Sequence, residues 1–374
     1  MIYLDSAATT LQKPRRVSAA IAQAVQTMTS PGRGGHPAAN RAAQTAFACR
    51  EACARLFELD DPEQVVFTFN ATHGLNIAIK SVVKPGDTVL ISGYEHNAVT
   101  RPLHAIPGVT IKVARAPLFQ PEQMVEEFKR LLTPEVSAVV CCHVSNVFGY
   151  ILPIAPIAEL CRERGTALIV DAAQSAGCVP VTPNRWDAAF VAAPGHKGLY
   201  GPQGTGVLLC RAPTVPLLEG GTGSNSVQQH MPEFLPDRLE AGTHNIPGIA
   251  GLLEGVRFVR RCGVERIGRQ EAELVARMAG ELRNVPGLRV FAQENAGHCQ
   301  SGVLSFVVEG RDCEEFGQCL AQRGFAVRCG LHCAALAHET AGTLECGTVR
   351  ASLSAFSSES DVLAFVRTVR ALVK

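Results

Sequence analysis

From Val65 to Leu209 short apolar runs alternate with stretches of helical pattern, and this alternation limits the fold more than any other feature of the chain. Val65–Phe69, Thr88–Ser92, Val136–His143, Ala167–Val170, Ala188–Ala193 and Gly206–Leu209 read as strands, bounded by glycine, proline or small polar residues. Helical pattern follows at Leu75–Val82 and at about Pro156–Arg164. Such alternation predicts an α/β fold, a mostly parallel sheet with helices on both faces. In these sheets ligands bind beyond the carboxyl ends of the strands. Thr72, His96, Asn146, Asp171, Gln174 and Lys197 all follow strands at that end. Their shared placement is the signal, since each alone reads as an ordinary turn residue.

The segment 187–206, DAAFVAAPGHKGLYGPQGTG, is the most distinctive part of this frame. Its apolar strand stops at Pro194-Gly195, His196 and Lys197 follow, and glycine-rich backbone comes next. Most lysines lie in solvated surface loops. A lysine between a core strand and backbone that a ligand can approach closely fits another role. Desolvation there lowers the amine pKa and makes it a nucleophile toward carbonyls. Asn70-Ala71-Thr72-His73-Gly74, between a strand and a helix, forms an anion site of free N–H groups and helix dipole, though many α/β turns share this form.

Before and after this region the pattern continues. Pro14 fits the first turn of a helix to about Met28, and a second helix spans Asn40–Phe57. The loop between them carries Arg33 and His36, and is either a plain connector or a segment reaching the site. Helices run through 246–261 and about 263–284. A second α/β block follows, with strands Val303–Val308, Phe325–Arg328 and Thr348–Leu353 and helices Asp312–Arg323 and Glu359–Val373. The 374 residues allow two domains: a large one over 14–250, and a small one formed by 1–13 with 251–374.

The formal net charge of +1 gives no reason to expect nucleic acid or an anionic membrane as partner. No apolar run approaches the roughly 18 residues of a spanning helix, and the N-terminus lacks the charge and apolar core of a signal peptide. A cytoplasmic location is expected. The 14 cysteines are scattered, many in apolar segments, as small buried hydrophobes of a reducing compartment. No pair of CxxC motifs exists, so no metal site is expected. One close pair, Cys329 and Cys333, lies in a loop.

The polar residues suit a ligand bearing an aldehyde, a pyridine ring and a phosphate. Lys197 offers the amine for the aldehyde, and Asp171 a carboxylate for the ring nitrogen, so that the ring accepts electrons. His96 can stack on the ring, Asn146 and Gln174 can reach the phenolic oxygen, and Thr72, the backbone at His73, and His196 can hold the phosphate. That ligand is pyridoxal 5'-phosphate.

With these residues placed, the chain resembles the class V, fold-type I pyridoxal-phosphate enzymes, and among them the cysteine desulfurases and selenocysteine lyases. The likeness covers nearly the whole length: YLDSAATT at 3–10, NATHGLN at 70–76, EHNA at 95–98, HVSNVFG at 143–149, VDAAQSAG at 170–177, GHKGLYGPQGTG at 195–206, EAGTHN at 240–245, VRCGLHCA at 327–334 and VRASLSAFSSESD at 349–361. It implies a large, mostly parallel sheet of the seven-stranded type beside a smaller α/β domain. It implies Lys197 as the Schiff-base lysine, Asp171 at the pyridine nitrogen and His96 on the ring face, with Thr72, Gln174 and His196 at cofactor positions. Thr243 matches a phosphate contact across a homodimer interface. Asn146 and Arg350 match the holders of the substrate carboxylate, and His36 and Arg328 match positions near the substrate. Pro194 departs from the pattern, which often has a hydroxyl residue there, and so lacks one phosphate hydrogen bond.

Cys333 decides the substrate class. In the resembled enzymes a cysteine of this loop attacks the substrate sulfur, which implies an exposed thiolate near cationic groups; Arg328 and His332 are its sequence neighbours. Cys329 is a core thiol, a resolving thiol or a second acceptor. Sixteen residues separate Cys333 from Arg350, a short loop like that of desulfurases that need a sulfur-acceptor protein. The leading reading is a homodimeric desulfurase converting L-cysteine to L-alanine and a persulfide. Selenocysteine lyase is the near alternative, an aminotransferase or epimerase of the same fold a further one, and a sulfur-carrier scaffold without turnover the reading from another class.

Overall fold

A computed structural model describes residues 1–31, 34–294 and 299–373. The strands in chain order are β1 (Ile2–Tyr3), β2 (Val65–Thr68), β3 (Thr88–Ser92), β4 (Thr110–Ala114), β5 (Val136–Cys142), β6 (Ala167–Asp171), β7 (Phe190–Pro194), β8 (Gly206–Cys210), β9 (Leu288–Phe291), β10 (Val303–Val308), β11 (Phe325–Ala326), β12 (Arg328–Gly330) and β13 (Thr348–Ser352). The helices are α1 (Arg15–Thr27), α2 (Pro37–Leu56), α3 (Ala71–Val82), α4 (Asn97–His104), α5 (Pro121–Leu131), α6 (Ile154–Arg164), α7 (Pro183–Trp186), α8 (Ile246–Cys262), α9 (Val264–Arg283), α10 (Cys313–Gln322), α11 (Ala335–Ala341) and α12 (Glu359–Val373).

β2 to β8 form one seven-stranded sheet in the order β2-β8-β7-β6-β5-β3-β4. Only β8 runs against the rest. β2, β7 and β8 are buried throughout and β5 and β6 nearly so, which explains their continuous rather than alternating apolar sequence. Two apolar clusters cover the two faces, one including Val139, Val170 and Val191, the other Val140, Ile169 and Ala192. Adjacent residues point to opposite faces, so each strand feeds both clusters.

The C-terminal block holds an antiparallel sheet in the order β12-β13-β10-β9, with its own core around Phe306, Phe316 and Phe365. β1 pairs with β11 in parallel, so the N-terminus joins this block. The expected division at 250/251 falls inside α8, which is continuous there, packs on α1 and α2, and turns into α9 at Gly263. The single strand expected over Phe325–Arg328 is two. Phe325–Ala326 pairs with β1 and Arg328–Gly330 with β13, so the chain changes sheets at Val327. The helix expected from Leu75 begins at Ala71, because the Asn70 side chain accepts the His73 N–H and caps it. β7 ends at Pro194, the expected stop of the strand, with Pro194 itself paired with Gly206 of β8.

Candidate active site

The carboxyl ends of β2, β3, β5, β6 and β7 open into an inner cavity of about 80 Å³ lined by Thr72, His96, Asn146, Asp171, Gln174, Pro194, His196 and Lys197. An outer cleft of about 550 Å³ shares His96, Asn146, His196 and Lys197 and adds Arg328, His332, Cys333 and Arg350. Residues far apart in the sequence thus line one continuous depression.

Asp171 ends β6 and is buried. One carboxylate oxygen accepts the Ala173 N–H at 2.8 Å. Burial raises its pKa, against the Ala173 N–H and the nearby Lys197 amine. Lys197 lies three residues past β7 in a tight turn, where the Tyr200 N–H bonds the Lys197 carbonyl and the Gly201 N–H the Gly195 carbonyl. The glycines there are obligatory: a Cβ at Gly198 would stand 2.4 Å from the Ala176 carbonyl oxygen, and one at Gly195 would stand 2.1 Å from Thr205 Oγ1. Burial first, then the Arg350 and Arg328 cations, lower the Lys197 amine to about 8 against the opposing pull of Asp171 and Asp5.

His96 caps α4, its Nδ1 accepting the Ala98 N–H at 3.0 Å. A nitrogen that accepts a backbone N–H carries no proton, so the ring is neutral with Nε2 as its donor. Burial and the Lys197, Arg350 and Arg101 cations agree, lowering its pKa to about 4. Burial likewise lowers His196 to about 4, with Lys197 and Lys13 adding to it.

At the mouth, buried Arg350 donates to the Asn146 carbonyl at 2.9 Å and to Asp5 Oδ1 at 2.9 Å. The half-exposed Arg328 pairs with Asp5 Oδ2 at 3.1 Å. Asp5 therefore holds both arginines, a role its sequence position does not reveal. Asn146 donates to the His332 carbonyl at 2.8 Å, and the Asn97 N–H donates to the Cys333 carbonyl at 2.8 Å. These bonds dock the cysteine loop on α4 and on the segment after β5. His332 and Cys333 both have left-handed backbone, φ 50° and 55°, which non-glycine residues seldom adopt. Cys333 and Cys346 are the two exposed cysteines, and only Cys333 lines the cleft. Cys329 faces α10, its sulfur 2.3 Å from where a Gly317 Cβ would stand, and burial pushes its thiol up to about 12.

Several expected residues stand apart. His36 is exposed at the N-cap of α2 and borders neither cavity, while Arg33 lies outside the described residues. Thr243 is exposed and likewise borders neither. The His73 N–H, expected to face a phosphate, is taken by Asn70 Oδ1, and its ring stacks on Phe69. Gln174 is in place, but its Nε2 donates to the Ala7 carbonyl at 2.9 Å. Lys13, unassigned in the sequence, reaches Thr10 Oγ1 and the His196 carbonyl, and burial lowers it to about 8. Glu95 is wholly buried beside His96, one oxygen accepting from Cys142 N and Ser92 Oγ and the other unpartnered, with its carboxyl raised by burial to about 8. Among the described residues no group of three or more His, Cys, Asp and Glu could hold a metal ion, and no helix is long and apolar enough to cross a membrane.

This fold, with a lysine after β7 near a buried aspartate that ends β6, defines the class, and the family model for class-V aminotransferases matches residues 2–365: the chain belongs to that family. Its enzymes depend on pyridoxal phosphate. More particularly, the relatives are named cysteine desulfurases. A "Probable cysteine desulfurase" of Mycolicibacterium paratuberculosis is 33% identical over 100% of this chain, which spans 56% of that protein's length. One of Xylella fastidiosa is 33% identical over 98% of this chain and 89% of its own. The apo cysteine desulfurase of Thermococcus onnurineus superposes with a TM-score of 0.90 at 29% identity, covering 100% of this chain and 94% of that one. The Escherichia coli cysteine desulfurase CsdA gives 0.86 at 29% identity, covering 99% and 94%.

The residues present fit the family's cofactor. Asp171 is buried with one carboxylate oxygen not engaged by backbone, and His196 Nδ1 and Asn146 Oδ1 are buried without partners. Thr72 in the first turn of α3 lines the same cavity.

Proposed function

We propose that this chain is a cysteine desulfurase that converts L-cysteine to L-alanine and leaves the sulfur on Cys333 as a persulfide. The observation that carries the reading is one exposed thiol, Cys333, on the wall of a cleft that also holds Lys197, His96 and Arg350. An aminotransferase has no use for a thiol there.

Asp171, His96, Thr72, Gln174, His196 and Lys197 would hold pyridoxal phosphate. Bound, it supplies an electron sink next to the substrate Cα. Arg350 binds and orients the substrate carboxylate, beside the buried Asn146 amide whose Oδ1 has no partner. The Lys197 amine, with its pKa near 8, can take and return a proton at Cα near neutral pH. The Cys333 thiolate attacks the substrate sulfur. An S–S bond forms as the Cβ–S bond breaks, and the carbon fragment keeps that electron pair and gains a proton. One cysteine and one thiol thus give one alanine and one persulfide. Neutral His96 lines the same cleft, with its Nε2–H free to donate.

The same reading includes a homodimer in which exposed Thr243 faces the other subunit's cofactor, a sulfur-acceptor protein that collects the persulfide, and action in the cytoplasm. It also includes a two-domain working unit, with the small domain carrying Cys333 and Arg350. The test is mass analysis of the holoenzyme after L-cysteine treatment. One added sulfur should map to Cys333. Cys333→Ala should lose it and cut sulfide release by about a hundredfold or more, as expected for removal of a nucleophile. Full sulfide output from that variant would overturn the proposal.

A further inference from the structure

A second concavity shares no lining residue with the two Lys197 cavities, although a small pocket of about 30 Å³ lined by Lys197, Cys178 and Glu271 lies between them. The second concavity is a groove of about 550 Å³ between α9, the segment 178–180 and the segment 300–302. Ile151, Val179, Val275 and Ala272 give it apolar walls. Glu271 reaches into it although the residue is only 5% exposed. Among the described residues Glu271 makes no ion pair, and its polar company is the Cys178 thiol. Ser301, also 5% exposed, lines the same wall, its Oγ sealed from the groove beside Gly149. The backbone is shaped around the carboxyl, since a Cβ at Gly302 would stand 2.6 Å from Glu271 Oε2.

We propose that this groove binds a small organic primary amine, its ammonium on Glu271 and its hydrocarbon part on the apolar walls. Carboxylates are rarely buried without a partner, because leaving water costs several kcal/mol that only an opposite charge or good hydrogen bonds offset. In the empty groove the burden is met by protonation, burial raising the carboxyl to about 8. An ammonium supplies the missing charge and donors through a charge-assisted bond. The charge of the rim selects the sign, with Glu265 and Glu273 flanking the mouth against Arg269 alone. A carboxylate or phosphate ligand would meet three acids. A calcium or magnesium ion would find too few oxygen ligands, because these ions take six or more, and no group of three or more His, Cys, Asp and Glu among the described residues could hold another metal. The cavity lies within the range of about 300–1,000 Å³ typical of small-molecule sites.

The test is calorimetric titration of the holoenzyme with n-hexylamine and, for comparison, 1-hexanol, with cofactor absorbance followed in parallel. Saturable hexylamine binding is expected, weakened about tenfold or more in Glu271→Gln, since one hydrogen bond to a charged group is worth that much. Hexanol should bind more weakly and be nearly indifferent to the substitution. Ala272→Phe, which fills the groove and leaves the carboxyl, should also abolish binding, and it carries the test if Glu271→Gln fails to fold. The proposal is overturned if hexylamine does not bind, if Glu271→Gln binds it equally, or if all binding heat tracks a change in cofactor absorbance.

Discussion

Burial lowers the Lys197 amine most, and two groups from opposite ends of the chain adjust it further. Arg350 lowers its pKa and Asp5 raises it, and the two are themselves paired at 2.9 Å. Removing either should therefore move the lysine in opposite directions. Competitive acetylation of the cofactor-free protein across pH, read by mass spectrometry, reports the neutral fraction of Lys197 directly. The midpoint is expected near 8, against 10.5 for an ordinary lysine. Arg350→Met should move it up and Asp5→Ala should move it down, and a shift of both variants in the same direction would refute this electrostatic account. Asp5→Ala also frees Arg350 from its anchor, so the KM for L-cysteine should rise about tenfold, with kcat less affected. Lys197 and Asp171 are legible in the sequence because a strand pattern places them at a sheet's carboxyl edge. Asp5 is not, since it lies 345 positions from Arg350 and nothing along the sequence marks their contact.

Among the elements, those buried on both faces announce themselves. β5, β6 and β7 are apolar runs because both their surfaces meet core, and their ends lie within a few residues of where the sequence places them. α4, β4 and α7 are weaker signals. α4 spans eight residues with Pro102 inside it, β4 is a partly exposed edge strand containing Lys112, and α7 is a single turn of four residues. Connections across elements are also hidden. Arg50 of α2 forms a bidentate pair with Glu240, bonds the Val65 carbonyl at the start of β2 and lies over the Phe67 ring, while Glu240 also accepts the Phe67 N–H and contacts His244. This buried node ties α2 and β2 to the segment bearing Thr243. Breaking it from one side leaves an unpaired buried charge, so Glu240→Ala should cost about 3–5 kcal/mol of stability in urea unfolding. Arg50→Met with Glu240→Leu together should recover most of that loss. If Glu240→Ala unfolds like the parent, the node is not structural.

Taken whole, the molecule buries two kinds of titratable group whose effects on stability oppose each other, and their numbers decide the pH at which it is most stable. His96, His143, His196, His332 and His338 are all depressed by burial, to about 4, 3, 4, 2 and 4 from 6.5. Below 6.5 the unfolded chain takes up protons that the folded chain refuses, so these five imidazoles make stability fall as pH drops from 6.5 toward 4. Glu95 and Glu271 are raised by burial from 4.5 to about 8. Between those values the folded chain holds protons that the unfolded chain has lost, so the two acids make stability fall as pH rises toward 8. His73 is lowered by burial as well and Asp171 raised, so below 6.5 six groups outweigh three and the slope is positive; between 6.5 and 8 the histidines no longer contribute and the slope turns negative. Calorimetry of the cofactor-free protein between pH 4.5 and 8 should therefore show the unfolding temperature peaking near pH 6.5, with the steeper loss on the acid side. Glu95→Gln with Glu271→Gln should flatten the alkaline limb and leave the acid limb in place. A steady rise in unfolding temperature from pH 6.5 to 8 in the parent protein would mean that the two acids are ionised in the fold, and that their buried charges have partners other than the ones described.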